Sequence, residues 1–328
     1  MFKLLSGNKG IIELPILLVV IGLIVATAFL KNSALPISSP NEEATSSASL
    51  EPSPSPSLSP SVTSSASSNP SPSPKPSLSP KPGVTSSLAP VPVNNTPPGS
   101  GYSRQSVSAD GATFTVDIVA ADLNSTKVIV DTASTSDCNN NCPVLSLGDY
   151  VTRNGAYAGI NGSYFCPTDY PSCAGKTNSF DTLLMNKDKT YFNSDNNVYS
   201  TVPLAVFSAG SSRFLGRSLD WGRDTGVDSV IANYPMLVNG NNITFTEAPN
   251  EPKFGGAASR TFIAAKDSMV YIGIVRGATM GQSAKVLSAM GMRDALNLDQ
   301  GGSTALWSGG YKAGPGRGIP NAILFVQR

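Results

Sequence analysis

No histidine occurs anywhere in the 328 residues, and that absence removes whole classes of chemistry. Without an imidazole there is no Ser-His-Asp or Cys-His relay, no paired-histidine zinc helix and no histidine proton shuttle. Catalysis has to rest on carboxylates, Arg, Lys, Tyr, Asn, Ser or backbone groups. Charge is also scarce: 14% of the chain is charged, and 23 basic residues against 22 acidic ones leave a net charge of +1. So balanced a chain offers no basic field to nucleic acid or to an anionic lipid surface, and no nucleic-acid partner is expected. Cysteine is limited to Cys138, Cys142, Cys166 and Cys173. Set in polar stretches as CNNNC and CPTDYPSC, these four read as disulfides of an oxidising compartment, with three pairings open. A zinc site is the competing reading, but zinc ribbons prefer shorter spacings and no histidine is there to help.

Long apolar runs are confined to one place. Residues 14–30 are almost unbroken Leu, Ile, Val and Ala, near the lower length limit for a helix crossing a bilayer. Lys3 and Lys9 precede the run and only Lys31 directly follows it, which orients the N-terminus to the cytoplasm and exports the rest. Residues 1–31 are therefore expected to be a membrane anchor or a signal segment. Ala26-Thr27-Ala28 is similar to a signal-peptidase site, whose use would secrete the chain instead of tethering it. The run GIIELP at residues 10–15 also resembles a prepilin leader, with its Glu three residues after the Gly where pilins carry it five after.

Residues 32–101 hold most of the 26 prolines, interleaved with serine. Such a stretch cannot bury enough apolar surface to offset its chain entropy, and it reads as a disordered linker. Extended, it would reach roughly 200 Å, the scale of a cell-wall layer. Residues 102–328 have globular composition and are long enough for one substantial core, so a single domain is expected there.

Within that domain, β-forming runs between turn residues predict strands over 113–119, 127–131, 156–160, 201–207, 229–231, 261–265, 269–275, 295–298 and 322–326. The clearest helix spans 280–290: Thr279 and Gln282 have capping-box spacing, Ala284, Leu287 and Met290 share a face, and Gly291 follows. The expected fold is mixed α+β, a mixed β-sheet with flanking helices.

After this helix comes a short strand, ALNL, and at once DQGGS. That order sets Asp299 at a strand's carboxyl end, beside Gly301 and Gly302, whose backbone N–H groups can face an anionic oxygen. Asp299 could there be a base, a nucleophile or a metal ligand; read blandly, the segment is an Asp-Gly turn. Asp and Asn oxygens also suit Ca²⁺ or Mg²⁺, although no contiguous loop of known ligand spacing occurs. Three further segments invite the same double reading. Asn161-Gly162-Ser163-Tyr164 follows an apolar run, Arg260 opens a strand where a guanidinium could grip phosphate, and Arg317 to Asn321 precede the last strand.

Together these segments resemble the phosphodiester glycosidase family across approximately residues 105–328. NGSYF is similar to the family's NGGYF, YPMLVNGN to its P-x-L-V-x-(D/N)-G segment and SRTFIAAKDSMVYIGIV to its RTAIG strand pair. GMRDALNLDQGGSTALW is similar to the ALNLDGGGSSTM signature, and RGIPNAILFV to the terminal R-x-x-x-NALLV strand. The resemblance implies hydrolysis of the bond between a sugar's anomeric carbon and a phosphodiester oxygen. It implies Asp299 as catalytic carboxylate or metal ligand and Arg260 as phosphate clamp. Asn161, the Gly301 and Gly302 amides and Ser303 would position sugar hydroxyls or phosphate oxygens. Gly162, Tyr164 and Thr304 fall in the same matched motifs, and Arg317 and Asn321 would close the pocket. Three positions depart from the pattern: Gln300 replaces the first Gly after the Asp, Asn233 and Tyr234 stand where small glycines are usual, and Arg276 takes a place often held by Asp. The expected protein is an exported, envelope-anchored glycosidase of cell-surface glycans or glycolipids. The alternative is a non-catalytic carbohydrate-binding or wall-attachment module on a stalk.

Overall fold

A computed structural model describes residues 92–193 and 200–328. The expected anchor at 1–31 and most of the linker at 32–101 lie outside the described residues. The last residues assigned to the linker belong with the domain: Val93 bridges to Ser106, and the Gln105 amide donates to the carbonyls of Asn94 and Thr96. Among the described residues no helix is long and apolar enough to cross a membrane.

The domain is rich in sheet and poor in helix. Seven strands form the largest sheet, in the spatial order β1 (Gly101–Ala109), β2 (Ala112–Asp122), β13 (Met269–Ala278), β12 (Ala258–Lys266), β14 (Asp294–Asn297), β10 (Met236–Asn239) and β11 (Asn242–Ile243). A second sheet runs β16 (Tyr311–Ala313), β15 (Leu306–Ser308), β4 (Ala158–Asn161), β17 (Asn321–Gln327) and β3 (Thr126–Thr132). The third runs β6 (Tyr191–Phe192), β5 (Leu184–Met185), β9 (Ser229–Ala232), β7 (Leu204–Ser208) and β8 (Ser211–Leu215). Every ladder between these strands is antiparallel, so the expected mixed sheet is replaced by antiparallel ones. Tight connections explain part of this. β12 and β13 are joined by only Asp267 and Ser268, with Asp267 at positive φ, and so short a link permits only a hairpin.

Alternation places the core. In β17, Ile323 and Phe325 face a cluster shared by all three sheets, whereas Ala322 and Leu324 face outward into a second cluster under helix α1 (Leu147–Asn154). In β12, Ile263 and Ala265 join the shared core, while Phe262 and Ala264 pack with α3 (Met280–Ala289) on the other side. Both faces of these strands are buried, which is why the sequence shows continuous apolar runs there and not a clean two-residue period. Each fully buried Ile or Phe contributes about 1.5–3 kcal/mol. Helix α3 is capped as expected, with Thr279 accepting from the Gln282 amide and Gln282 returning the bond. Helix α1 carries the same kind of box, between Ser146 and Asp149, and ends at Gly155 in the left-handed region.

Candidate functional site

The turn after β14 is held by the first and second sheets together. The Asp299 N–H donates to the carbonyl of Gly162, the residue that follows β4, at 2.9 Å. The Asp299 carbonyl accepts from Asn161 Nδ2 at 2.6 Å and from the Thr261 hydroxyl on β12. Asn161 Oδ1 accepts from the Ala305 amide beyond the turn. Asn161 is wholly buried and is spent on backbone. The Asn321 side chain similarly accepts from the Ser163 N–H, and a Cβ on Gly162 would collide with it. These residues hold the site from behind.

What they hold is the Asp299 carboxyl, which opens onto a cavity of about 620 Å³. Its oxygen Oδ1 accepts from the Gln300 amide, and Ser303 hydrogen-bonds the same carboxyl. Burial pushes its pKa up to about 6, against the downward pull of those two hydrogen bonds and of the Lys253 and Arg317 charges. Gly301, at φ +67°, makes the turn that brings Ser303 under the carboxyl.

The cavity gathers residues from distant parts of the chain. Of the residues singled out in the sequence, Asp299, Arg260, Tyr164, Gly301, Ser303 and Arg317 line it. Asn161, Gly162, Gly302, Thr304 and Asn321 do not line it. Gly302 instead leaves room for the Arg317 guanidinium, which a Cβ there would strike. The Thr304 hydroxyl is buried without a partner.

Arg260 plays a different part from the expected clamp. Its Nε donates to the Ala278 carbonyl, one terminal nitrogen to the Lys253 carbonyl and Gln300 Oε1, and the other to the carbonyls of Phe254 and Gly256. All five N–H groups are taken, and the residue is 1% exposed. Burial lowers its pKa from the usual arginine value. The guanidinium thus fastens the one-turn helix α2 (Pro252–Gly255) to the Asp299 turn, leaving no donor for a phosphate. Gln300, a departure from the family pattern, is part of that fastening and also donates to the Lys253 carbonyl.

Sequence reasoning did not single out Lys176, Lys253, Asp181 or Tyr170, which also line the cavity. Lys253 stands 3.5 Å above the ring of Tyr164, which is itself packed edge-on against Tyr234 at 5.0 Å. Burial raises the pKa of Asp181, opposed by Lys253 and Lys176. Arg317 reaches Asp169 at 3.0 Å. Lys253 sits on the one-turn helix α2, too short for a hydrophobic period to mark it, and the others lie in irregular segments. Arg276, by contrast, does not line the cavity; it pairs with buried Asp117. Among the described residues no group of three or more Cys, Asp or Glu is placed to hold a metal ion.

The cysteines are bonded locally, Cys138 to Cys142 and Cys166 to Cys173, and none is free for zinc. The second disulfide closes the loop carrying Pro167, Tyr170 and Ser172, one wall of the cavity. Two disulfides fit a domain that matures in an oxidising compartment.

No curated protein matches the chain. Among solved structures, the catalytic domain of zebrafish N-acetylglucosamine-1-phosphodiester α-N-acetylglucosaminidase, auto-inhibited by its pro-peptide, is similar at a TM-score of 0.54 and 17% identity, over 72% of this chain and 86% of that one. A Synechocystis protein aligns at a TM-score of 0.48 and 13% identity, over 69% of this chain and 62% of that one. At such identities the likeness to the zebrafish domain speaks for the fold alone. The sequence profile described as phosphodiester glycosidase matches residues 154–326, more than half of the chain and every residue that lines the cavity, and by that match the chain belongs to the phosphodiester glycosidase family.

Proposed function

We propose that the domain hydrolyses sugar-1-phosphodiesters, cutting between the anomeric carbon and the bridging oxygen. Water supplies the new anomeric hydroxyl, and a phosphomonoester leaves with the electron pair of the broken bond. The observation that carries this reading is the joint lining of one cavity by a desolvated carboxyl, Asp299, and, besides Arg260 with its donors already spent, three cations, Lys176, Lys253 and Arg317. A phosphate is a weak base, so its departure asks less of a proton donor than an alcohol's would. What it asks for is positive charge at the leaving oxygens, and a low-dielectric pocket strengthens that effect. In this scheme Asp299 works ionised, as nucleophile or as base for water, and Asp181 is the second carboxyl of the site. The exposed ring of Tyr170 at the cavity wall offers a face for a sugar ring.

In this reading the domain is exported, consistent with its disulfides, and acts on cell-surface glycans. It is either tethered by residues 14–30 or released by cleavage after Ala28. The test is incubation of the protein with the methyl diester of N-acetylglucosamine-1-phosphate and with other glycosyl-1-phosphate diesters. Free reducing sugar should appear with an equal amount of phosphomonoester. Binding without any release of sugar would instead identify a glycan-binding module.

A further inference from the structure

Outside the main cavity, one buried carboxylate is met by more positive charge than it can balance. Asp117 on β2 is wholly buried. Its Oδ1 accepts from Arg104 Nε on β1 and from the Tyr102 hydroxyl, each at 2.7 Å, while Oδ2 accepts from Arg276 Nε on β13 and from Arg104 Nη2 at 3.3 Å. Lys312 on β16 adds a third cation, its Nζ 4.8 Å from the centre of the Tyr102 ring. Arg276 Nη2 donates to the Lys312 carbonyl at 3.4 Å, which ties the edge of the second sheet to the first.

The charges do not cancel. Burial pushes the Asp117 carboxyl up, but hydrogen bonds from Arg104, Tyr102 and Arg276 outweigh it and hold the group below the usual carboxylate range, so its single negative charge is present at neutral pH. Among the described residues Arg104 and Arg276 pair with no other carboxylate, and Lys312 pairs with none. One arginine would have balanced Asp117; the second, together with Lys312, leaves two positive charges in excess on a chain whose net charge is only +1. Nη1 of each arginine and the Lys312 ammonium donate to nothing among the described residues. The Arg104 and Arg276 side chains are 55% and 34% exposed, so an anion can reach them. Because the shared carboxylate already fixes both guanidiniums, little rotamer entropy is left to lose when their free donors grip that anion.

The cluster lies at the same end of the strands as the cavity. Ala258 lines the cavity and pairs with Ala278, two residues beyond Arg276, and Lys312 stands five residues before Arg317, another cavity residue. Tyr102, Arg104, Arg276 and Lys312 themselves do not line it. Resting on the phosphodiester glycosidase reading of the cavity, we infer that Arg104, Arg276 and Lys312 form a separate anchoring site for a phosphate elsewhere along the same substrate chain. The substrate is then a polymer with repeated phosphodiesters, gripped at two places, and the second grip is strengthened by being intramolecular. A diester with a single phosphate uses the cavity alone.

The test uses the full chain and reads binding instead of turnover. A short poly(glycerol phosphate) oligomer has repeated phosphodiesters but no anomeric bond to cut. It is titrated calorimetrically beside a hydrolysis-resistant phosphonate analogue of N-acetylglucosamine-1-phosphate methyl ester and an oligogalacturonate of equal charge. In Lys312→Gln the oligomer should bind about tenfold more weakly, the loss of one charge-assisted contact, and in the double variant Arg104→Gln, Lys312→Gln more weakly still. The single-phosphate analogue should bind parent and variants alike. Lys312 meets the cluster through the face of the Tyr102 ring, so melting curves of Lys312→Gln and parent should coincide. An oligomer affinity unchanged in both variants, an equal loss for the single-phosphate analogue, equally tight binding of the oligogalacturonate, or no binding of the oligomer by the parent would each overturn the anchoring site. Cluster-dependent binding of the oligomer without turnover of any glycosyl-1-phosphate diester would leave the anchoring site standing and remove the hydrolase reading.

Discussion

At the residue scale, the two side chains that the sequence placed first turn out to be spent in opposite ways. Asp299 is held by its backbone and presents a poorly solvated carboxyl to the cavity; Arg260 is held by its side chain and presents nothing. For Asp299 the raised pKa has a stability consequence with a definite sign. Between the ordinary carboxylate pKa and about 6 the folded chain holds a proton that the unfolded chain releases, so its contribution is greatest below that window and is lost as the pH rises through it. Allowing for the residue's partial access to cavity water, the loss is on the order of 2 kcal/mol. Asp299→Asn should therefore abolish turnover and yet melt higher than the parent at pH 7, with the difference closing near pH 4. The parent's kcat/KM should climb with pH up to about 6 and then level, as an ionised carboxylate requires; a profile that falls through that pH would make Asp299 an acid instead. Arg260→Lys separates clamp from fastener. Loss of the forked donors leaves buried carbonyls unmet, and unfolding in denaturant should show about 1–3 kcal/mol less stability. A phosphate clamp would give normal stability and a raised KM alone.

At the element scale, the strands with strong apolar runs and α3 were legible, whereas α1, β1 and several short strands such as β5, β6 and β8 were not. Strands such as β2, β12, β13 and β17 announce themselves by β-branched runs, and α3 by its capping box and apolar face. Helix α1 was equally signalled, by Ser146, Asp149 and Gly155, but its short length hides the period. β1 went unread because its buried side alternates Gln105, Val107 and Ala109 with serines, a weak apolar signal. The site divides along the same line. Asp299 was found because a strand end and two glycines frame it, whereas Lys253 and Asp181 sit in stretches whose positions only tertiary packing decides. The joint between β4 and the Asp299 turn is open to test. An alanine at Gly162 would strike Asn321, and Gly162 also supplies the carbonyl that receives the Asp299 N–H. Gly162→Ala is expected to cost about 1–3 kcal/mol by overpacking, measured by chemical denaturation. It should also lower kcat tenfold or more in the molecules that remain folded, because the carboxyl moves with the strand end.

At the scale of the whole molecule, core and site are held by different means, and this makes them separable. The four apolar clusters that join sheets and helices contain none of the cysteines. Both disulfides instead close short loops, with sequence separations of 4 and 7; the Cys166–Cys173 loop walls the cavity, whereas Cys138 and Cys142 do not line it. Loop-closure entropy rises only with the logarithm of loop length, so each of these bridges contributes about 2 kcal/mol, far less than the packed sheets do. Reduction should thus lower the melting temperature by roughly 4–8 °C per bridge while far-UV circular dichroism at 25 °C stays unchanged. Function should suffer more than fold. Tyr170 and Ser172 depend on the Cys166–Cys173 bridge for their place on the wall, and positioning errors of about 1 Å can cost a hundredfold in rate. Alkylation of the reduced protein, followed by a turnover assay below the new melting temperature, measures this directly. Full activity in the alkylated, folded protein would mean that the loops are held by their hydrogen bonds alone, and that the disulfides stabilise the domain without shaping its site.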